Sequence, residues 1–271
     1  MLRPPYAEAR ATPVHASSLV TSSFELRPHR VAWAIHAFTS TGIMAGFFAL
    51  LSVLDGSPRA ALIWMLVAMV IDGLDGPIAR RFEVGTTLPH VDGNALDLMI
   101  DYVTCVVTPA LFLYEFRLIP HRYNVGLICV FLILTSSLYV MSNKKIMTTD
   151  NYFNGFPAMW NVVANILFVL QSREWVNVVV IGMLVVLSFV PVKFAHVIRV
   201  RDFRAVTLPV VVVWLTAMLY VTWILDEETK NCSQSCLPVG AEIAQMVVYL
   251  GTAWIVGVGV WRTLRGARPQ T

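Results

Sequence analysis

Stretches of about 20 apolar residues, separated by short polar breaks, follow one another along this chain from residue 31 to residue 261. A backbone surrounded by hydrocarbon has no water to bond with, so such stretches persist only as helices that satisfy their own amides. The pattern places spans near 31–54, 60–80, 93–116, 123–142, 156–171, 175–193, 205–225 and 241–261. The expected fold class is an all-α integral membrane bundle of about eight transmembrane helices. Six is the alternative, if the fifth and sixth, joined by a tight turn at Arg173 and Glu174, form one re-entrant hairpin. Composition agrees: 57% of the 271 residues are hydrophobic and 14% charged, where a soluble domain carries about a quarter charged.

The basic residues sort by side. Arg3, Arg10, Arg27, Arg30, Arg80, Arg81, Lys144, Lys145, Lys193, Arg199, Arg201, Arg204, Arg262, Arg265 and Arg268 fall on the side of the N-terminus. Arg59, Arg117, Arg122, Arg173 and Lys230 fall on the other. The excess of Lys and Arg on cytoplasmic loops then puts both termini in the cytoplasm of a multi-pass protein. The first 30 residues are rich in Arg, Pro and His and lack an apolar core, so they read as a polar leader rather than a signal peptide. No basic stripe interleaved with aromatics appears, so nucleic acid is not an expected partner.

Against this background one stretch stands out, because it carries four acids. Asp72 and Asp75 close the second span and Asp97 and Asp101 open the third. Each pair falls at helical spacing, on one face of its helix. Consecutive spans run in opposite directions, so the end of one and the start of the next meet at similar depth, here on the cytoplasmic side. Four carboxylates crowded at low dielectric repel one another, and intramembrane acids are functional by default. Two divalent cations remove the conflict, and ligands that are all oxygen suit Mg²⁺ or Mn²⁺ rather than zinc. Such a pair can clamp the attacking and leaving oxygens of a phosphoryl displacement. The plain alternative is four acids capping helix ends toward interfacial water.

As a pattern the stretch reads D-x2-D-G-x2-A-R, twelve residues, then G-x3-D-x3-D. This resembles the signature of the CDP-alcohol phosphotransferases, with a longer gap than most of that family. The gap resembles the bacterial phosphatidylcholine synthase branch, as do W33-A-I-H-A-F-T-S-T-G42, F153-N-G-F-P-A-M-W-N161 and P191-x-K-F-A-H-x-x-R-V200. The resemblance implies a bundle that moves a phosphatidyl group from CDP-diacylglycerol to choline and releases CMP, with two Mn²⁺ or Mg²⁺ ions. It implies that Asp72, Asp75, Asp97 and Asp101 bind metal, and that Asp101 also takes the proton of the acceptor hydroxyl. It implies that Gly76, Ala79, Arg80 and Gly93 hold the nucleotide and its diphosphate; close helix packing is the bland alternative for the three small residues. His36 and the run Thr39–Ser40–Thr41 are placed near the nucleotide end, His36 chiefly as a packing residue. A homodimer in the bacterial inner membrane, among membrane lipids, is also implied. The expected domains are a polar cytoplasmic leader at 1–30, one transmembrane catalytic domain at 31–262, and a short basic tail at 263–271.

Choline donates no hydrogen bonds from its ammonium and prefers aromatic faces. Tyr102, Tyr152, Phe153, Phe156 and Trp160 are the candidate wall of its site, with an interfacial aromatic belt as the alternative; Glu83 or Asp92 could add negative field. Acceptors such as serine, glycerol 3-phosphate or inositol phosphate mark the rival synthases. The phosphate-bearing ones would need Lys or Arg beside the acids, and Y-V-T-C-V-V-T-P-A after Asp101 offers none. A cation transporter would also carry intramembrane acids but leaves the Gly and Arg positions unexplained. Cys105 and Cys129 lie within spans as packing residues, while Cys232 and Cys236, in the loop before the last span, could pair as a disulfide.

Overall fold

The structure, a computed structural model, describes residues 17–88, 90–143, 152–195, 203–225 and 238–265, with the side chains of 17–28, 195 and 204 left aside. Cys232 and Cys236, and most of the leader, lie outside the described residues. Among the described residues, six helices are long and apolar enough to cross a membrane. They are α1 (Ser17–Leu54, apolar from His29), α2 (Pro58–Arg81), α3 (Gly93–Glu115), α4 (Val125–Ser142, with a preceding turn from Arg122), α7 (Arg204–Ile224) and α8 (Val239–Arg265). Two shorter apolar helices, α5 (Trp160–Val169) and α6 (Glu174–Leu187), stand between α4 and α7. Large apolar side chains such as Phe131, Val212 and Ile243 point outward, as lipid contact requires. The chain is thus a multi-pass helical membrane bundle. Helix α1 begins at Ser17, inside the stretch whose composition reads as leader.

The connections are short and chemically specified. Gly56, at φ +73°, turns the chain after α1, and Pro58 occupies the first turn of α2, where its missing N–H costs nothing. The tight turn makes α1 and α2 antiparallel neighbours along much of their length. Between α2 and α3 the long gap is used for docking. A helical turn at Val84–Thr87 buries Val84 and Leu88 against Ala32 and Ile35 of α1, and Ala79 packs on the same cluster. Asp92 then starts α3 by accepting hydrogen bonds from the amides of Asn94 and Ala95, at 3.0 and 3.1 Å.

The shorter pair settles differently from two independent spans. Two three-residue strands, which the apolar pattern does not announce, tie its ends together: β1 (Tyr152–Asn154) and β2 (Lys193–Ala195) pair antiparallel, with Phe153 opposite Phe194. The Gly155 amide donates to the Val192 carbonyl and the Phe156 amide to that of Leu187, so extended segments complete what the helices lack in length. At the base of this hairpin the Lys193 amide donates to Thr263 of α8 at 2.9 Å. At its tip Gln245 of α8 donates to the Val169 carbonyl at 2.7 Å, and Asn177 donates to the Leu118 carbonyl at 2.7 Å. From Gln245 to Thr263 a helix rises about 27 Å, close to the hydrocarbon thickness of a bilayer. The α5–α6 hairpin therefore reaches from one end of the bundle to the other.

Candidate active site

One stripe of α1 faces the acidic stretch rung by rung. His36 lies against Gly93, so that a Cβ built on the glycine would sit 3.2 Å from the His36 Cε1. One turn on, the Thr39 hydroxyl, which donates to the Ile35 carbonyl at 3.3 Å, also lies beside Asp75. Gly42 then meets Ile71 and Ile100, and Gly46 lies so close to Thr104 that a Cβ would stand 2.6 Å from its Cγ2. These small residues let α1 lie close against α2 and α3, which keeps the ends of the motif helices at a common level.

Three of the four motif acids converge. One carboxylate oxygen from each of Asp72, Asp97 and Asp101 lies within 4.8 Å of the others, and all three residues are half-buried. Among the described residues this is the one such group. Oxygens about 2.0–2.6 Å from a shared hard cation sit about 3–5 Å apart, so this set fits a divalent ion. A second observation points the same way: Asp101 Oδ1 is buried and takes no hydrogen bond, a costly state that a bound ligand would relieve. Asp75, 6% exposed and one turn beyond Asp72, lies outside the group of three. The Thr39 side chain, the Gly76 amide and the Arg80 charge lie close to its carboxylate. Arg80 itself is exposed at the end of α2. Pro77, between Gly76 and Arg80, brings no amide, which leaves the Gly73 carbonyl without its helical donor.

Directly after Asp101 the helix changes its winding. Tyr102–Val107 form a π-helical turn before the α-helix resumes at Thr108. Wide turns of this kind are rare and collect at functional sites, because the inserted residue re-aims the side chains before it. No composition signal announces it. The same region holds buried polar groups without partners: Thr108 Oγ1, and on α5 the Asn161 Nδ2 and Asn165 Oδ1. Isolated polar residues in an apolar run are the available signal for such positions.

The aromatic candidates divide. Tyr102 is half-buried and its hydroxyl donates to the Leu134 carbonyl at 3.3 Å. It packs against the cluster that contains Phe156 and Trp160. Trp160 is fully buried, meets Phe156 edge to face at 5.0 Å, and donates its Nε1–H to Ser137 at 2.8 Å. Tyr152 instead packs with Val258 and Trp254, with Lys193 and Arg262 each 5.8 Å from its ring centroid. Its faces already meet cations of the chain. Phe153, on β1, pairs across the strands with Phe194. Asp92 is held by its helix cap, and Glu83, at φ 50°, is exposed in the docked loop.

With this geometry in view, comparisons with known proteins are informative. A family model described as CDP-alcohol phosphatidyltransferase matches residues 32–190. A phosphatidylcholine synthase of Pseudomonas aeruginosa is 39% identical over 239 residues, covering 86% of this chain and 92% of that protein. A phosphatidylcholine synthase of Borreliella burgdorferi is 32% identical over 237 residues, covering 87% and 95%. One of Brucella melitensis is 35% identical over 187 residues, covering 69% and 67%.

Proposed function

The chain belongs to the CDP-alcohol phosphatidyltransferase family, and we propose that it moves the phosphatidyl group of CDP-diacylglycerol to choline, giving phosphatidylcholine and CMP. The observation that carries this reading is the convergence of Asp72, Asp97 and Asp101 at the ends of two antiparallel membrane helices. The acceptor is inferred from the shared name of the three relatives and from the absence of Lys or Arg in the turn after Asp101.

In this mechanism Asp72, Asp97 and Asp101 would hold a divalent ion, Mn²⁺ or Mg²⁺, and Asp75 would join them in holding a second. Ions bound there would supply positive charge against the diphosphate and the developing negative charge on the leaving CMP. The side chains do the remaining work. Gly76 leaves the face of α2 bare beside Asp75, so the nucleotide half of the donor can approach, and Gly93 at the start of α3 makes room for the His36 ring beside it. Arg80 offers paired N–H donors to the diphosphate. The choline hydroxyl oxygen attacks the phosphorus that carries diacylglycerol, the bond from that phosphorus to the oxygen of CMP breaks, and the hydroxyl proton passes to Asp101, whose Oδ1 has no competing donor. Tyr102, adjacent to Asp101 and held by Leu134, presents the first aromatic face for the ammonium, with Phe156 and Trp160 behind it. Tyr152 is left as a packing residue.

The rest of the reading follows the sequence. One catalytic membrane domain spans residues 31–262, both termini face the cytoplasm of the bacterial inner membrane, and two copies form a homodimer. The central test incubates membranes holding the protein with CDP-diacylglycerol, labelled choline and Mn²⁺. Label should enter the lipid phase and vanish with EDTA, with Asp97→Ala and with Asp101→Ala. Full activity in both variants would remove the site, and label from serine or glycerol 3-phosphate in place of choline would change the acceptor.

A further inference from the structure

We infer that His36 of α1 is a nucleotide-binding residue, its Nε2 hydrogen-bonding the cytidine-diphosphate half of the donor. The inference rests on the proposed phosphatidyl transfer, since it assumes that a CDP group lies beside α2 and α3. Three observations converge on it. His36 is only 8% exposed, yet its Nε2 has no hydrogen-bond partner within the chain. A buried imidazole nitrogen in a membrane bundle is expected to have one, so its absence marks a place where something outside the chain completes the bond. The ring is held against Gly93, with its Cε1 3.2 Å from where a Cβ would stand, and Trp33 meets it edge-on at 6.3 Å.

The third observation is its level in the bundle. Gly93 is one helical turn before Asp97, and Thr39, one turn along α1 from His36, reaches Asp75. His36 therefore sits one turn beyond the acids, toward the ends of the motif helices that carry Arg80 and Gly93. A donor whose reacting phosphorus lies among the acids extends its fatty chains toward the bilayer and its nucleotide toward those helix ends. On that path α2 presents Gly76 and Arg80, α3 presents Gly93, and α1 presents His36. Val84 and Leu88 of the docked loop, packed on Ala32 and Ile35, close the same stripe just beyond it. The ring thus forms a wall at the nucleotide level, and its Nε2 is the polar atom there that the chain leaves without a partner.

The test uses the full-length protein in detergent or nanodiscs, as wild type, His36→Ala and His36→Gln, whose side-chain amide nitrogen falls near the position of Nε2. CDP binding in the presence of Mn²⁺ is measured by calorimetry, which needs no turnover, together with KM for CDP-diacylglycerol, KM for choline and the melting temperature without ligand. His36→Ala should weaken CDP binding and raise KM for CDP-diacylglycerol by about tenfold or more, the loss of one hydrogen bond to a charged or polar ligand. KM for choline should stay within about twofold, and His36→Gln should recover most of the loss. Unchanged CDP binding in His36→Ala overturns the inference, as does a parallel loss of melting temperature and binding that Gln does not restore, which would mark a packing role. A wild type that binds CDP but labels no lipid from choline removes the proposed acceptor and leaves the His36 measurement standing. A wild type that binds no CDP removes both.

Discussion

Gly93 has two candidate reasons to lack a side chain, and they have different consequences. If a nucleotide approaches its backbone directly, an added methyl group blocks the ligand whatever surrounds it. If the glycine instead receives the His36 ring, the methyl group acts by displacing the imidazole. The 3.2 Å approach favours the second cause, because the ring must give way before anything else is touched. Gly93→Ala is therefore expected to weaken CDP binding in the wild-type background and to add little in a His36→Ala background. In a double-mutant cycle the interaction term should be about 0.5–3 kcal/mol. Strictly additive losses, measured by the same CDP titration, would return Gly93 to direct contact with the ligand. The same reasoning separates Asp75 from the other acids: it already has the Thr39 hydroxyl, the Gly76 amide and Arg80 around it, while Asp101 keeps an oxygen with nothing to bond.

Helix α1 serves the site without carrying any motif residue. It meets α3 tightly at Gly46, opposite Thr104 in the π-helical turn, where a Cβ would stand 2.6 Å from the Thr104 Cγ2. Gly46→Ala should force α1 and α3 apart there, a strain of about 1–3 kcal/mol, and should lower both the melting temperature in detergent and the choline transfer rate. Adding Thr104→Ser removes the clashing methyl group and keeps the hydroxyl that donates to the Ile100 carbonyl at 3.1 Å, so the double variant should regain most of both. A double variant as impaired as the single would mean that the methyl contact is not what sets the helix separation. This interface also marks where sequence reading stops. The spacing of Asp72, Asp75, Asp97 and Asp101 shows in the sequence because helical periodicity acts on neighbours within one segment. The π turn does not, since widening Tyr102–Val107 by one residue is decided by what packs on it from α1, α4 and α5. The same holds for Tyr152 and Trp160, which lie in one sequence segment. Three residues of strand separate their fates, turning Tyr152 toward Lys193 and Arg262 and Trp160 toward Ser137.

At the scale of the whole molecule, helix length and hydrogen bonding give different counts of how many times the chain crosses the bilayer. Helix length argues for six crossings, since α5 and α6 hold 10 and 14 residues, against about 20 for a full span. The hydrogen bonds argue for eight. The α5–α6 tip is fastened near Leu118 and Gln245, its base near Thr263, and these two levels of α8 stand about 27 Å apart. The hairpin spans that distance because the irregular segments 156–159 and 188–192 lengthen it, with Phe156 and Ala158 buried in the bundle and the Phe156 amide bonded to the Leu187 carbonyl. Irregular backbone is tolerated at membrane depth where protein rather than lipid covers it. Eight crossings place the Arg173 turn on the opposite side from the loop between α2 and α3; a re-entrant hairpin places both on one side. In a background with all four cysteines replaced, Arg173→Cys and Thr86→Cys, both at exposed positions, are probed with a membrane-impermeant maleimide in sealed vesicles of each orientation. The two cysteines should react from opposite sides, Thr86→Cys from the face that carries the acids and Arg173→Cys from the other. Reaction of both from one side would reduce the crossings to six and leave the polar groups of Asn161 and Asn165 in a loop that enters and leaves by the same leaflet.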